Sequence, residues 1–292
     1  MKQFLIFVLS IPLCIRGIAQ KDANAGSFTE NFNDSSFHHF RYGSRGTEST
    51  FKYKTGAASL TEPGTRILSF KIDPADSAGA GRGPEIISND FTHFGTYSAR
   101  LKVPDVREKQ PNVGAVVGYF TYHMDKTEGL SEIDFEWLIA DPRIIYIGTW
   151  TGHGELKRIG RTINLADGTI FNTIFKEGHN GQPTTLTGAQ NQPETIRAIK
   201  GYNAASEFYT YGFDWYADSL RWWILHPVTG EKIVLWNYSG SRVGIPQNET
   251  HYRMNFWHTN NWSVQTNPNS LEKPKEPYEL EVDWMKYEPF AQ

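Results

Sequence analysis

EGLSEIDFEWL, residues Glu128 to Leu138, is the stretch on which the reading of the fold turns. In a β-strand successive side chains point to opposite faces. Ile133, Phe135 and Trp137 then form one apolar face, and Glu132, Asp134 and Glu136 put three carboxyls in a row on the other. A helix would scatter both sets around its circumference. The segment is therefore a strand with one face for a core and one for something else.

Outward from it, short apolar or alternating runs recur along the chain, among them RILSFKI, GTYSARLKV, NVGAVVGYFTYH, RIIYIGTWTG, SLRWWILH, KIVLWNY and ELEVDWMKYEP. Gly, Pro, Asn and Asp punctuate them, which is the pattern of an all-β sandwich. Pro227-Val-Thr-Gly230 reads as a hairpin turn, and Asn203 to Glu207 as a possible short helix. Phe175 to Ile199, within a broader insertion around 165–205, is polar and rich in Gly, Gln, Thr and Pro. A loop of that length in a compact domain is usually functional or disordered.

The amino terminus carries a secretory leader by pattern. Lys2 precedes a short apolar run from Phe4 to Cys14, and Gly17 and Ala19 supply small residues at −3 and −1. Residues 1–19 are thus expected to be removed, leaving 20–292 as one domain, and the apolar run is too short to span a bilayer. Lipidation at Cys14 is the less favoured alternative, because Leu13 is bulky. Cys14 is the single cysteine, so a processed chain has no disulfide, thiol nucleophile or cysteine-held metal. Export without disulfides fits a secreted or periplasmic bacterial protein. Losing Lys2 and Arg16 takes the formal net charge from −3 to −5, which gives no attraction for nucleic acid or an anionic membrane.

The acidic face has a chemical reading. Strand geometry sets the Cα atoms of Glu132 and Glu136 roughly 13 Å apart, and inward leaning brings their carboxyls to roughly 5 Å, the separation of a retaining glycosidase pair. Asp134 lies between them, so ionising all three is costly and at least one proton is retained to high pH. On the residues alone, a solvent-facing strand that is acidic by chance stays open. Aromatics reach 14 %, with nine Trp and fourteen Tyr, which serves either a β-core or sugar stacking. No HExxH metal motif or G-x-S-x-G elbow is present.

EIDFE, with FTENFND, FGTYSARLKVP, VVGYFTYH, FYTYGFDWYADSLRWWI, MNFW and ELEVDWMKYEP around it in order, closely resembles glycoside hydrolase family 16, in particular its bacterial β-glucanases. The resemblance implies a β-jelly-roll of two curved antiparallel sheets with a concave glycan-binding cleft. It implies Glu132 as nucleophile, Asp134 as the assisting carboxyl and Glu136 as acid/base, with no cofactor needed for catalysis. Glu85, Phe120, Tyr122, Trp150, Asn255 and Trp257 match substrate-binding positions, and Asp283 matches a carboxylate that helps hold a structural calcium.

The E-x-D-x-E spacing, with no extra residue before Glu136, resembles the enzymes acting on mixed-linkage β-1,3-1,4-glucan or xyloglucan. Leu130 stands where those glucanases have Trp, Gly148 where they have Asn, and Ile87 where they have Arg. The expectation is a monomeric, secreted, retaining endo-β-glycanase acting on a β-linked polysaccharide. Alternatives are a transglycosylase, a hydrolase of xyloglucan, laminarin or a galactan, and a non-catalytic carbohydrate-binding jelly roll.

Overall fold

The computed structural model describes residues 25–45, 52–74 and 80–291. The expected leader, 1–19, and Cys14 lie outside these. The chain forms β1 (Phe28–Glu30), β2 (Phe40–Arg45), β3 (Lys52–Ala58), β4 (Arg66–Ile72), β5 (Gly83–Ser88) and β6 (Gly95–Lys102). It continues through β7 (Ala115–Asp125), β8 (Gly129–Leu138), β9 (Ile144–Gly152), β10 (Lys157–Asn164), β11 (Thr169–Glu177) and β12 (Thr184–Thr185). The last strands are β13 (Tyr209–Trp215), β14 (Leu220–Leu225), β15 (Lys232–Tyr238), β16 (His251–His258) and β17 (Tyr278–Pro289).

These strands make two antiparallel sheets in a jelly-roll sandwich, as the alternating runs predict. One is nine-stranded, in the order β12-β11-β10-β9-β8-β7-β16-β5-β2. The other is eight-stranded, β15-β14-β13-β6-β17-β4-β3, with β1 added on β17. The acidic strand β8 is central in the nine-stranded sheet, between β7 and β9.

Aromatic side chains build the layer between the sheets. Ile133, Phe135 and Trp137 are fully buried. Phe135 stacks on Trp137 at 5.6 Å between centroids, and Trp137 meets Tyr211 of the opposite sheet edge-on at 4.7 Å. Each such side chain contributes about 1.5–3 kcal/mol by burial, so β8 is held firmly from its apolar side.

The insertion departs from expectation. Its polar sequence conceals anchors: Leu186, Ile196 and Ile199 join the main core. Arg161, 1 % exposed, reaches it from β10, donating from Nη2 to Asn191 Oδ1 at 2.6 Å and from Nη1 to the Pro193 carbonyl at 2.9 Å. Trp236 Nε1 donates to the Gln190 carbonyl at 3.0 Å. The segment is thus docked beside β15 and β11 at one edge of the sandwich. Asn203 to Glu207 forms turns rather than the expected helix. Pro227 to Gly230 does connect β14 to β15, with Gly230 at φ 68°.

Candidate active site

The register of the nine-stranded sheet sorts its outer face into rows that cross the strands. Glu132 lies opposite Tyr122 on β7 and Trp150 on β9. Asp134 lies opposite Phe120 and Gly148, and Glu136 opposite Gly118 and Tyr146. Aromatic rings therefore flank the first carboxyl, while glycines leave room beside the other two. Neither ladder through β8 has a bulge, so the pairing is unbroken across all three acids.

Seven of the ten predicted site residues converge. The three carboxyls, Glu85, Phe120, Tyr122 and Asn255 line one open pocket of about 260 Å³, together with Arg253. Trp150 stands beside Glu132 but outside that lining. The Arg158 guanidinium lies 5.1 Å above its ring, and the His179 ring is 5.1 Å away. Trp257 is half-buried against a satellite apolar cluster that includes Val116, Leu138 and Ile144, with Trp262 alongside. Asp283 is on the other sheet, at a bulge of β17.

The electrostatics of the row follow from burial. Asp134 is only 8 % exposed, whereas its two neighbours are half-buried. Burial first, then the charges of Glu132 and Glu136, push its carboxyl well above the ordinary range, and Arg158 opposes this only in part. Asp134 thus keeps its proton to higher pH than an ordinary carboxyl. His251, on the same face beside Tyr122, is driven down to about 4, by burial first and then by Arg41 and Arg253, and is neutral above that pH.

Among the described residues, no group of three or more His, Cys, Asp or Glu could hold a metal. Asp283, the residue matched to a calcium carboxylate, accepts from Arg100 Nη1 at 2.6 Å, and Arg100 Nη2 reaches Glu62 at 2.6 Å. A guanidinium is already the counter-charge at Asp283, and this arrangement does not fit a calcium centred on that carboxylate.

Arg253 is the residue that reading the sequence missed. Its Nη1 donates to Glu85 Oε1 at 3.2 Å. Alternation carried back by two from Asn255 would have put it on the same face. Arg158 escaped notice likewise, because its partner Trp150 is fixed only by the β9–β10 register.

The fold is shared with solved proteins. The β-glucanase of Bacillus licheniformis superposes with a TM-score of 0.56 at 20 % identity, over 92 % of this chain and 100 % of that one. A β-1,3-1,4-glucanase (lichenase) from a mouse hindgut metagenome gives 0.54 at 18 %, over 91 % and 100 %. The catalytic domain of an endo-1,3-β-glucanase (laminarinase) from Thermotoga petrophila RKU-1 gives 0.55 at 12 %, over 90 % and 97 %. These are likenesses of fold. No curated protein matches the chain. The family model for glycosyl hydrolases family 16 matches residues 41–286, and the chain belongs to that family.

Proposed function

We propose that the protein is a retaining endo-β-glycanase that hydrolyses a β-glucan by double displacement, with Glu132 as nucleophile and Glu136 as acid/base. The observation that supports this best is the unbroken row of three carboxyls in an open pocket, its central member buried and its carboxyl pushed well above the ordinary range. Ionised Glu132 attacks the anomeric carbon while protonated Glu136 gives its proton to the leaving oxygen, so the C–O bond breaks as the glycosyl–carboxylate bond forms. Glu136, now ionised, takes a proton from water. The resulting hydroxyl displaces Glu132 and restores the starting state. Asp134, protonated between them, donates a hydrogen bond to whichever neighbour is ionised.

Mixed-linkage β-1,3-1,4-glucan is the first candidate substrate, because β8 has no bulge before Glu136, in keeping with the E-x-D-x-E spacing. The amino-terminal sequence supports action outside the cytoplasm after removal of residues 1–19. Among the described residues, no helix is long and apolar enough to cross a membrane. A reducing-end assay on lichenan, laminarin and xyloglucan tests the proposal. Wild type should release sugar from at least one glucan, and Glu132→Ala should release none at an unchanged thermal midpoint. Undiminished release by Glu132→Ala would contradict it.

A further inference from the structure

Asp134 lies opposite Gly148 on β9, and Gly148 lies opposite Gly160 on β10. Two successive positions without a Cβ leave a trough across the outer face of the sheet, and Arg158 lies in it. Arg158 precedes Gly160 by two residues, so both belong to that face. A Cβ at Gly160 would meet Arg158 Nε at 3.6 Å and Nη2 at 3.9 Å. The guanidinium therefore folds along its own strand over Gly160 toward the acids. It also covers Trp150, its ladder partner, with its carbon 5.1 Å from the ring centroid.

Arg158 faces the acids across a narrow space. Asp134, Glu136, Gly148, Arg158 and Gly160 line a hollow of about 20 Å³, room for about one water. So little solvent between the groups leaves their interaction weakly screened. Burial and then the charges of Glu132 and Glu136 raise the Asp134 carboxyl, and Arg158 is the charge that opposes them. A cation here favours the ionised form of every carboxyl in the row, because neighbouring acids titrate as a coupled set.

The other polar and charged groups around the row are engaged elsewhere or stand farther off. Arg253, on the β16 side, is paired with Glu85 at 3.2 Å. Arg161 lines the hollow from the core side and gives its hydrogen bonds to Thr173, Asn191 and the Pro193 and Leu235 carbonyls. Tyr146, opposite Glu136, donates its hydroxyl to Gln265. His251 is neutral above about pH 4, and His179 stands against Trp150. Lys176, opposite Arg158 on β11, is outside the hollow.

We propose that Arg158 is a positioning residue of the cleft: lodged over Gly160 and against Trp150, it is the counter-charge of the carboxylate row and sets the pH range in which the row works. The two glycines are what let it reach that place. This rests on the reading of Glu132 and Glu136 as nucleophile and acid/base, and goes beyond it to how their charge is set.

The test is kcat/KM against pH on a soluble β-glucan for wild type, Arg158→Met, Arg158→Lys and Lys176→Met. Each profile is paired with an NMR titration of the side-chain carboxyls in the full, isotope-labelled chain. Arg158→Met keeps an aliphatic stem and removes the charge, so both limbs of the profile should move to higher pH by roughly half a unit to one unit. Activity at a fixed pH on the acid limb should then fall about threefold to tenfold. Arg158→Lys keeps a charge and should leave the limbs close to those of wild type, and Lys176→Met should move them less than Arg158→Met does. The midpoints of the row's carboxyls should rise with the limbs, whereas a merely structural role would lower kcat and leave both in place. Arg158→Gln is read in the same way if the methionine variant does not fold. Limbs and midpoints unmoved by loss of the Arg158 charge, or moved as far by Lys176→Met, overturn the proposal. If wild type hydrolyses no glucan while the midpoints still rise in Arg158→Met, the hydrolase reading falls and the counter-charge stands.

Discussion

The indole Nε1 of Trp222 donates to the main-chain carbonyl of Asp134 at 3.1 Å. Trp222 belongs to β14, in the opposite sheet, where it is fully buried and stacks on Trp236 at 4.9 Å between centroids. One bond therefore ties the two layers together behind the central carboxyl. Trp222→Phe retains a ring and removes the donor, leaving that carbonyl with its ladder bond alone. It should cost about 0.5–1.5 kcal/mol in urea denaturation. If the tie also positions the acidic row, kcat should fall more than KM changes.

The proton on Asp134 has a consequence for stability. Its carboxyl is raised above the ordinary value of 3.8, so the folded chain binds a proton that the unfolded chain releases. A raised carboxyl makes stability greatest below the unfolded value and erodes it as pH climbs from there toward the folded one. Asp134→Asn cannot ionise and should lose that part of the slope. Urea midpoints measured from pH 4 to pH 8 should therefore fall less steeply for the variant than for wild type, while its activity is lower.

Gly148 explains one departure from the glucanase pattern. A Cβ at this position would lie 2.3 Å from the Ile159 carbonyl oxygen and 3.1 Å from the Gly160 Cα. The asparagine of the resembling enzymes has no space here unless β10 moves. Gly148→Asn should thus destabilise the protein by about 1–3 kcal/mol, seen as a lower thermal midpoint, and should not raise activity on mixed-linkage glucan.

The sandwich was legible because period-two alternation is local, and β8 alone displayed both faces. The site was legible as far as local pattern plus resemblance reached: the three carboxyls, Phe120, Tyr122, Glu85 and Asn255 meet in one pocket. What was not legible depends on which strand lies beside which. Arg253 becomes a cleft residue only when β16 pairs with β5 and β7. Trp257 shares the face of Asn255, yet its neighbours Val116 and Trp262 make it part of an apolar cluster. The insertion looked like a free excursion because few of its residues are apolar, whereas its docking uses main-chain carbonyls, which sequence does not distinguish. Leu130, placed where a sugar-stacking Trp was expected, is 6 % exposed and pairs with Met124 and Gly152.

Arg161 makes four hydrogen bonds to neutral groups, two of them to that insertion through the Pro193 carbonyl and Asn191 Oδ1 and the others to Thr173 Oγ1 on β11 and the Leu235 carbonyl on β15. Burial lowers the guanidinium to about 10, the mark of a cation held away from water with no counter-ion among the described residues. Arg161→Met should leave these acceptors unpaired and cost roughly 3 kcal/mol or more. Limited proteolysis should then cut within 178–205 sooner than in wild type, with the carboxylate row unaltered.

The central claim is double displacement through Glu132 and Glu136, and the anomeric configuration of the first product tests it most directly. Proton NMR of a β-glucan digest, recorded before mutarotation, should show the β-anomer appearing first and the α-anomer growing in later. First appearance of the α-anomer would mean a single displacement and would contradict the account.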